Sequence, residues 1–171
     1  MTDPRTASLL RKANGIVSLC LLAALSVHAV VNCLRFGGLH MPSLALLAWA
    51  SVAATVLHVG LCVATSNAML TDTERPPSQK KRRHLVIKWI TGGLVLAVAG
   101  VHIAASQGVL GTAAQSGRWL LVGLVVALAI HLWTGARSFL SDLGLPRSWK
   151  PAVRALVVLG ACALAAAVLL T

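Results

Sequence analysis

The chain has 171 residues, 57% of them hydrophobic and only 11% charged, with a mean hydropathy of +0.82. A soluble domain of this length is about half apolar and a quarter charged, so the composition excludes an ordinary water-soluble globule. The net charge of +11 does not point to nucleic acid, because the Lys and Arg residues flank apolar segments and no nucleic-acid motif accompanies them.

Five segments reach the roughly 20 apolar residues that a bilayer core of about 30 Å demands: 13–35, 43–66, 85–106, 118–140 and 150–170. Backbone groups in hydrocarbon must pair within their own segment, so each reads as a helix. The predicted fold is all-α, an integral membrane bundle of five transmembrane helices forming one domain over 1–171, since the connections are too short to fold alone.

Residues 1–12 read as a short polar arm. Arg11 and Lys12 precede an apolar run as in a signal peptide, but the length of that run and the lack of a small-residue cleavage site predict that it is retained. The turn Arg35–Pro42 (RFGGLHMP), broken by Gly37, Gly38 and Pro42, returns helix 2 beside helix 1. Residues 71–84 (TDTERPPSQKKRRH) read as the one strongly polar linker, a proline pair followed by four consecutive cations. A Gly-rich connection follows helix 3 at 107–117, and Gly144 and Pro146 close helix 4. Helix 5 has no polar side chain after Arg154 and is expected to face lipid as a structural flank. The four cysteines, Cys20, Cys33, Cys62 and Cys162, lie in apolar segments without CxxC spacing and read as small core residues.

Charge sets the expected orientation. A cytoplasmic N-terminus leaves only Arg35 and Arg118 of the 15 Lys and Arg residues outside, as the positive-inside bias requires. The expected location is therefore the inner (cytoplasmic) membrane, crossed five times.

Six histidines are present; His40 and His84 read as loop residues, while His28, His58, His102 and His131 fall inside helices 1, 2, 3 and 4. Ionisable side chains within a membrane segment are costly and normally face a bundle interior, where they pair or bind something. No Asp or Glu lies in the first three spans to pair with them. At 1.5 Å per residue, His28 lies about 24 Å beyond Lys12 and His102 about 21 Å beyond Lys88, both in the outer half. His58 lies about 22 Å below Ser43 and His131 about 20 Å below Arg118, both in the inner half. Two layers of two imidazoles suit two bis-histidine b haems stacked across the membrane, because low-spin iron takes one neutral imidazole on each side of the macrocycle. Gly60, Gly100 and Gly135, each two to four residues from a histidine, are expected to make room for the rings. Arg35 and Arg137 read first as interface anchors and second as partners for haem propionates. Trp89, Trp119, Trp133 and Trp149 fit aromatic belts.

At these histidines the sequence resembles the single-chain, di-haem cytochrome b anchor of succinate dehydrogenases and fumarate reductases, the five-helix, two-haem class. Residues 28–32 (HAVVN) resemble its first-helix His with Asn four positions on, and His58–Pro76 (HVGLCVATSNAMLTDTERP) its second-helix His before an Arg-Pro. Lys88–His102 (KWITGGLVLAVAGVH) and His131–Leu145 (HLWTGARSFLSDLGL) are similar to the third- and fourth-helix segments, so the likeness spans about 15–160. The resemblance implies that His28 and His102 hold the haem distal to the soluble subunits and His58 and His131 the proximal one. It also implies a flavoprotein subunit and an iron–sulfur subunit on the cytoplasmic side, electron exchange with menaquinone or ubiquinone at an unassigned site, and possible higher oligomers of the complex. The sequence departs from some members at Ala129, where they carry a proton-conducting Glu.

On this reading the chain is a non-catalytic electron-transfer subunit, its short loops leaving no soluble catalytic domain. Two alternatives stand beside it: the di-haem subunit of another quinone-linked oxidoreductase, of nitrate-reductase or b561 type, and a haem-free transporter or assembly protein whose histidines bridge helices or bind a metal.

Overall fold

The computed structural model describes residues 4–72, 76–109 and 117–170. Among them the chain is all-α: α1 (Pro4–Phe36), α2 (Ala45–Leu70), α3 (Gln79–Ser106), α4 (Arg118–Asp142) and α5 (Lys150–Leu170), with one 3-10 turn at Arg147–Trp149. Each of the five is long and apolar enough to cross a membrane.

Four helices start or end beyond the spans that hydropathy marks, α4 by only two residues at Asp142. The expected polar arm is helical from Pro4 onward, because proline's fixed φ suits a first turn and the following Ala, Leu, Arg and Lys are strong helix formers whatever their polarity. α2 continues to Leu70, four residues past its expected end. α3 begins at Gln79, so the basic run and His84 are helical instead of part of a linker. Ser78 caps this start: its Oγ accepts from the Lys81 N–H at 3.4 Å and its carbonyl from the Arg82 N–H at 3.0 Å. The prolines before it, Pro76 and Pro77, cannot extend the helix backward with hydrogen bonds of their own.

α1, α3 and α4 close with one device. At Gly38, Gly108 and Gly144 the chain turns through positive φ, and a crossed pair of backbone bonds ties the last turn. After α1, for example, Gly38 N–H donates to Arg35 O and Leu39 N–H to Leu34 O, both at 3.0 Å. This is the Schellman arrangement, which satisfies carbonyls that would otherwise be left unpaired.

The pattern of burial is inverted relative to a soluble protein. Large apolar side chains stand on the surface, Leu46 at 85% and Leu170 at 86% exposure among them, while Asn14, Ser51 and Thr91 are buried. A chain that shows its leucines outward and covers its hydroxyls and amides is built for a hydrocarbon solvent, where packing among small residues and polar contacts hold helices together. α5 follows this rule, with Leu156 and Leu159 exposed as expected of a lipid-facing flank. The expectation of cysteines in a core fails for Cys20 and Cys162, which are exposed; a thiol is apolar enough to face hydrocarbon.

Two compact units divide the chain. The first holds residues 1–85 and 137–149, and within it α1 packs along α2. Gly15 in α1 also meets the end of α4 so closely that an added Cβ would lie 3.1 Å from Asp142 Cβ. The second unit holds residues 86–136 and 150–171, comprising most of α3 and α4 together with α5.

Candidate functional site

The four span histidines sit on four successive helices and are each half-buried. His28 and His58 belong to the first unit, His102 and His131 to the second. His40 and His84 are exposed.

In the first unit, His58 on α2 reaches back to α1. Its Nδ1 lies 3.1 Å from Ser18 Oγ, and its Nε2 lies 3.6 Å from Cys62 Sγ one turn along its own helix. Ser18 donates its hydroxyl proton to Asn14 O at 2.7 Å, and the Cys62 thiol approaches Asn14 Oδ1 at 3.7 Å. Asn14 is thus the buried hub of a four-residue polar cluster between α1 and α2. Such a cluster is worth most where no water competes for its hydrogen bonds.

The second unit repeats the contact. His131 on α4 places Nδ1 3.1 Å from Oγ1 of Thr91 on α3, and Thr91 donates to Lys88 O at 3.1 Å. Thr134 Oγ1 stands 3.4 Å from Thr91 Oγ1 and donates to His131 O at 2.9 Å. In both units the hydroxyl lies 40 residues before the histidine that it meets.

His28 is held differently. Its Nε2 lies 3.3 Å from Asn32 Nδ2, the i,i+4 neighbour, which also donates to His28 O at 2.7 Å. Its Nδ1 is buried without a hydrogen-bond partner among the described residues. A buried polar atom left so carries a free-energy cost that a bound group or a turn of the ring would relieve. His102 is half-buried on α3, one turn before the buried Ala105.

The glycines expected to make room for haem rings border open space, and the one tight glycine–histidine contact lies elsewhere. Among the described residues a Cβ added at Gly60, Gly100 or Gly135 would meet nothing within 4 Å, so these positions leave space that no neighbouring side chain fills. At Gly92 an added Cβ would stand 3.2 Å from His131 Cε1. Arg35 and Arg137 are both exposed, as suits interface anchors. Ser18, Asn14, Thr91 and Gly92 escape a reading by residue type, because hydroxyls and glycines are ordinary in membrane helices; their only sequence signal is position, a polar or missing side chain within an otherwise apolar span.

Within neither unit do three or more His, Cys, Asp or Glu side chains converge on a metal-sized site, among the described residues. The donor set offered is single imidazoles beside hydroxyl, amide and thiol groups, and a macrocyclic iron, which brings its own four equatorial nitrogens, would ask of it only axial ligands. Compared with protein-family models, curated proteins and solved structures, the chain matches none.

Proposed function

We propose that the chain is the membrane-anchor cytochrome b subunit of a succinate:quinone oxidoreductase of the inner membrane, with His28, His58, His102 and His131 as axial ligands of two b haems. The observation that carries the reading is the repeated fixing of Nδ1: His58 and His131 are each held at that nitrogen by a buried or half-buried hydroxyl, the second contact that an iron-ligating imidazole normally makes. Pairing His58 with His131 and His28 with His102 rests on the depths counted along each span. Bound haem would supply reversible one-electron chemistry at iron.

The chain's own residues have three tasks in this reading. The imidazoles present a neutral nitrogen to the metal, the apolar walls exclude water and competing ligands, and the exposed Arg35 and Arg137 offer cations at either end for propionates. Electrons would pass between an iron–sulfur subunit docked on the cytoplasmic side, next to a flavoprotein, and menaquinone or ubiquinone in the membrane.

An absorption spectrum of the purified protein, oxidised and then reduced, tests this directly. Two equivalents of low-spin b haem are expected, and His28→Ala, His58→Ala, His102→Ala or His131→Ala should each remove one. A protein that binds no haem when haem is supplied, or single variants that keep two full equivalents, would end the proposal. Co-purifying flavoprotein and iron–sulfur subunits would separate it from a b561-like cytochrome.

The same contacts favour one further reading. Ser18–His58 joins α1 to α2 and Thr91–His131 joins α3 to α4, and such bonds hold membrane helices together without any cofactor at about 0.6 kcal/mol each. A haem-free transporter or assembly protein built this way would show a featureless visible spectrum.

A further inference from the structure

Each hydroxyl that touches a histidine has one proton and more than one place to send it, Thr91 having Thr134 Oγ1 at 3.4 Å as a third and longer contact. Ser18 Oγ lies 2.7 Å from Asn14 O and 3.1 Å from His58 Nδ1; Thr91 Oγ1 lies 3.1 Å from Lys88 O and 3.1 Å from His131 Nδ1. If Nδ1 carried a lone pair, the single hydroxyl proton would satisfy the carbonyl or the ring, and one contact would face lone pair to lone pair. If Nδ1 carries the proton, the ring donates to the hydroxyl oxygen and the hydroxyl donates to the carbonyl, so both contacts become hydrogen bonds. Counted at the hydroxyls, the protons select the Nδ1–H tautomer in both units; the Cys62 thiol, a weak donor 3.6 Å from His58 Nε2 and 3.7 Å from Asn14 Oδ1, fits the same tautomer when its one proton turns to Nε2. A neutral imidazole protonated at Nδ1 keeps its electron pair at Nε2.

We propose that Ser18 and Thr91 are positioning residues that lock His58 and His131 as Nδ1–H tautomers, turning Nε2 of each into the electron-pair donor of the site. As far as the recipient of that pair is haem iron, this rests on the function proposed above. The device is made twice from different residues, Ser in one unit and Thr in the other, at the same spacing of 40 residues and on the helix preceding the histidine. His28 lacks it: among the described residues no hydroxyl meets its Nδ1, and an amide from Asn32 meets Nε2 instead. His58 and His131 are thus preset as donors before any ligand arrives, and His28 is not.

The test uses the full chain in lipid with 15N-labelled histidine, and compares the parent with Ser18→Ala, Thr91→Val and the conservative Thr91→Ser. Nitrogen resonances of the haem-depleted protein are expected to show His58 and His131 protonated at Nδ1. Ser18→Ala should disturb the tautomer of His58 alone and Thr91→Val that of His131 alone, while Thr91→Ser restores the parent pattern and so excludes misfolding as the cause. Nε2–H tautomers in the parent, or tautomers indifferent to the hydroxyls, would overturn the proposal. Haem titration supplies the second measurement: loss of an outer contact to a ligating histidine typically weakens metal binding about 10- to 100-fold, so Ser18→Ala and Thr91→Val should each weaken one haem by that factor, with Ser26→Ala as an inert control. If the parent binds two haems and both variants hold them as tightly, positioning fails and the cytochrome reading stands. If the parent binds none, the cytochrome reading fails, and the resonances alone decide the tautomers.

Discussion

Gly92 on α3 lies so close to His131 on α4 that a Cβ built on it would stand 3.2 Å from the ring's Cε1, whereas the adjacent Gly93 has nothing within 4 Å. The two glycines therefore form a matched pair for substitution. Gly93→Val should be nearly neutral. Gly92→Val should drive the ring off Thr91 and lower stability by about 1–3 kcal/mol, the usual range for overpacking a fitted contact. Thermal midpoints of the two variants in the same detergent check the difference, and equal midpoints would show that the α3–α4 contact yields freely.

Arg154 makes a contact across helices, from α5 to α4. Its guanidinium sits 4.5 Å from the centroid of the Trp133 ring, with one terminal nitrogen 3.5 Å from the Trp133 carbonyl. A cation over an indole face is worth about 0.5–2 kcal/mol, more as water is excluded. A double-mutant cycle with Arg154→Gln and Trp133→Leu should return a coupling in that range, which locates the start of α5 against α4 energetically. Coupling indistinguishable from zero would leave Trp133 as a belt residue only.

The five spans were legible because hydropathy over 20 residues answers one physical question, whether a segment tolerates hydrocarbon. It says nothing about how far a helix continues into water, which is why Pro4–Lys12 and Gln79–His84 read as arm and linker although their helix propensity and the Ser78 cap make them helical. At the site the histidines were legible because an ionisable side chain in a membrane span is costly enough to stand out. Their partners were not. Ser18 and Thr91 each bond to a carbonyl three or four residues back, the ordinary behaviour of a hydroxyl in a membrane helix, and only packing reveals the second contact 40 residues away. The glycines repeat the lesson, since Gly60 and Gly100 are near histidines along the chain but Gly92 is near one across helices.

The orientation expected from charge is open to a simple check. With the N-terminus inside, five spans bring the C-terminus outside, so a reporter active only outside the cytoplasm should work when fused after Thr171 and fail when inserted before Gln79. The reverse pattern would invert the assignment of inner and outer histidine layers.

The basic run supplies the last prediction. Lys80, Lys81, Arg82 and Arg83 are exposed and helical, and at about 100° per residue their side chains ring the first turns of α3 instead of lining one face. No acidic residue shares that first turn, so four cations surround the positive end of the helix dipole, where each is unfavourable by about 0.3–1 kcal/mol at low salt. A collar of this kind gains when an anionic surface meets it. On the proposed function that surface is an acidic face of the iron–sulfur subunit, docked close to the inner histidine layer, since electrons must enter near a haem edge. Changing all four to Gln should therefore have two opposite effects. The isolated chain should become more stable at low ionic strength, with the gain fading as salt screens the charges over about 10 Å at 0.1 M. The assembled complex should lose soluble subunits more readily on washing, with both haems retained. Retention unchanged across a range of salt would reduce the collar to a topology signal, and crosslinks from a soluble partner to residues 35–42 would place docking on the opposite side.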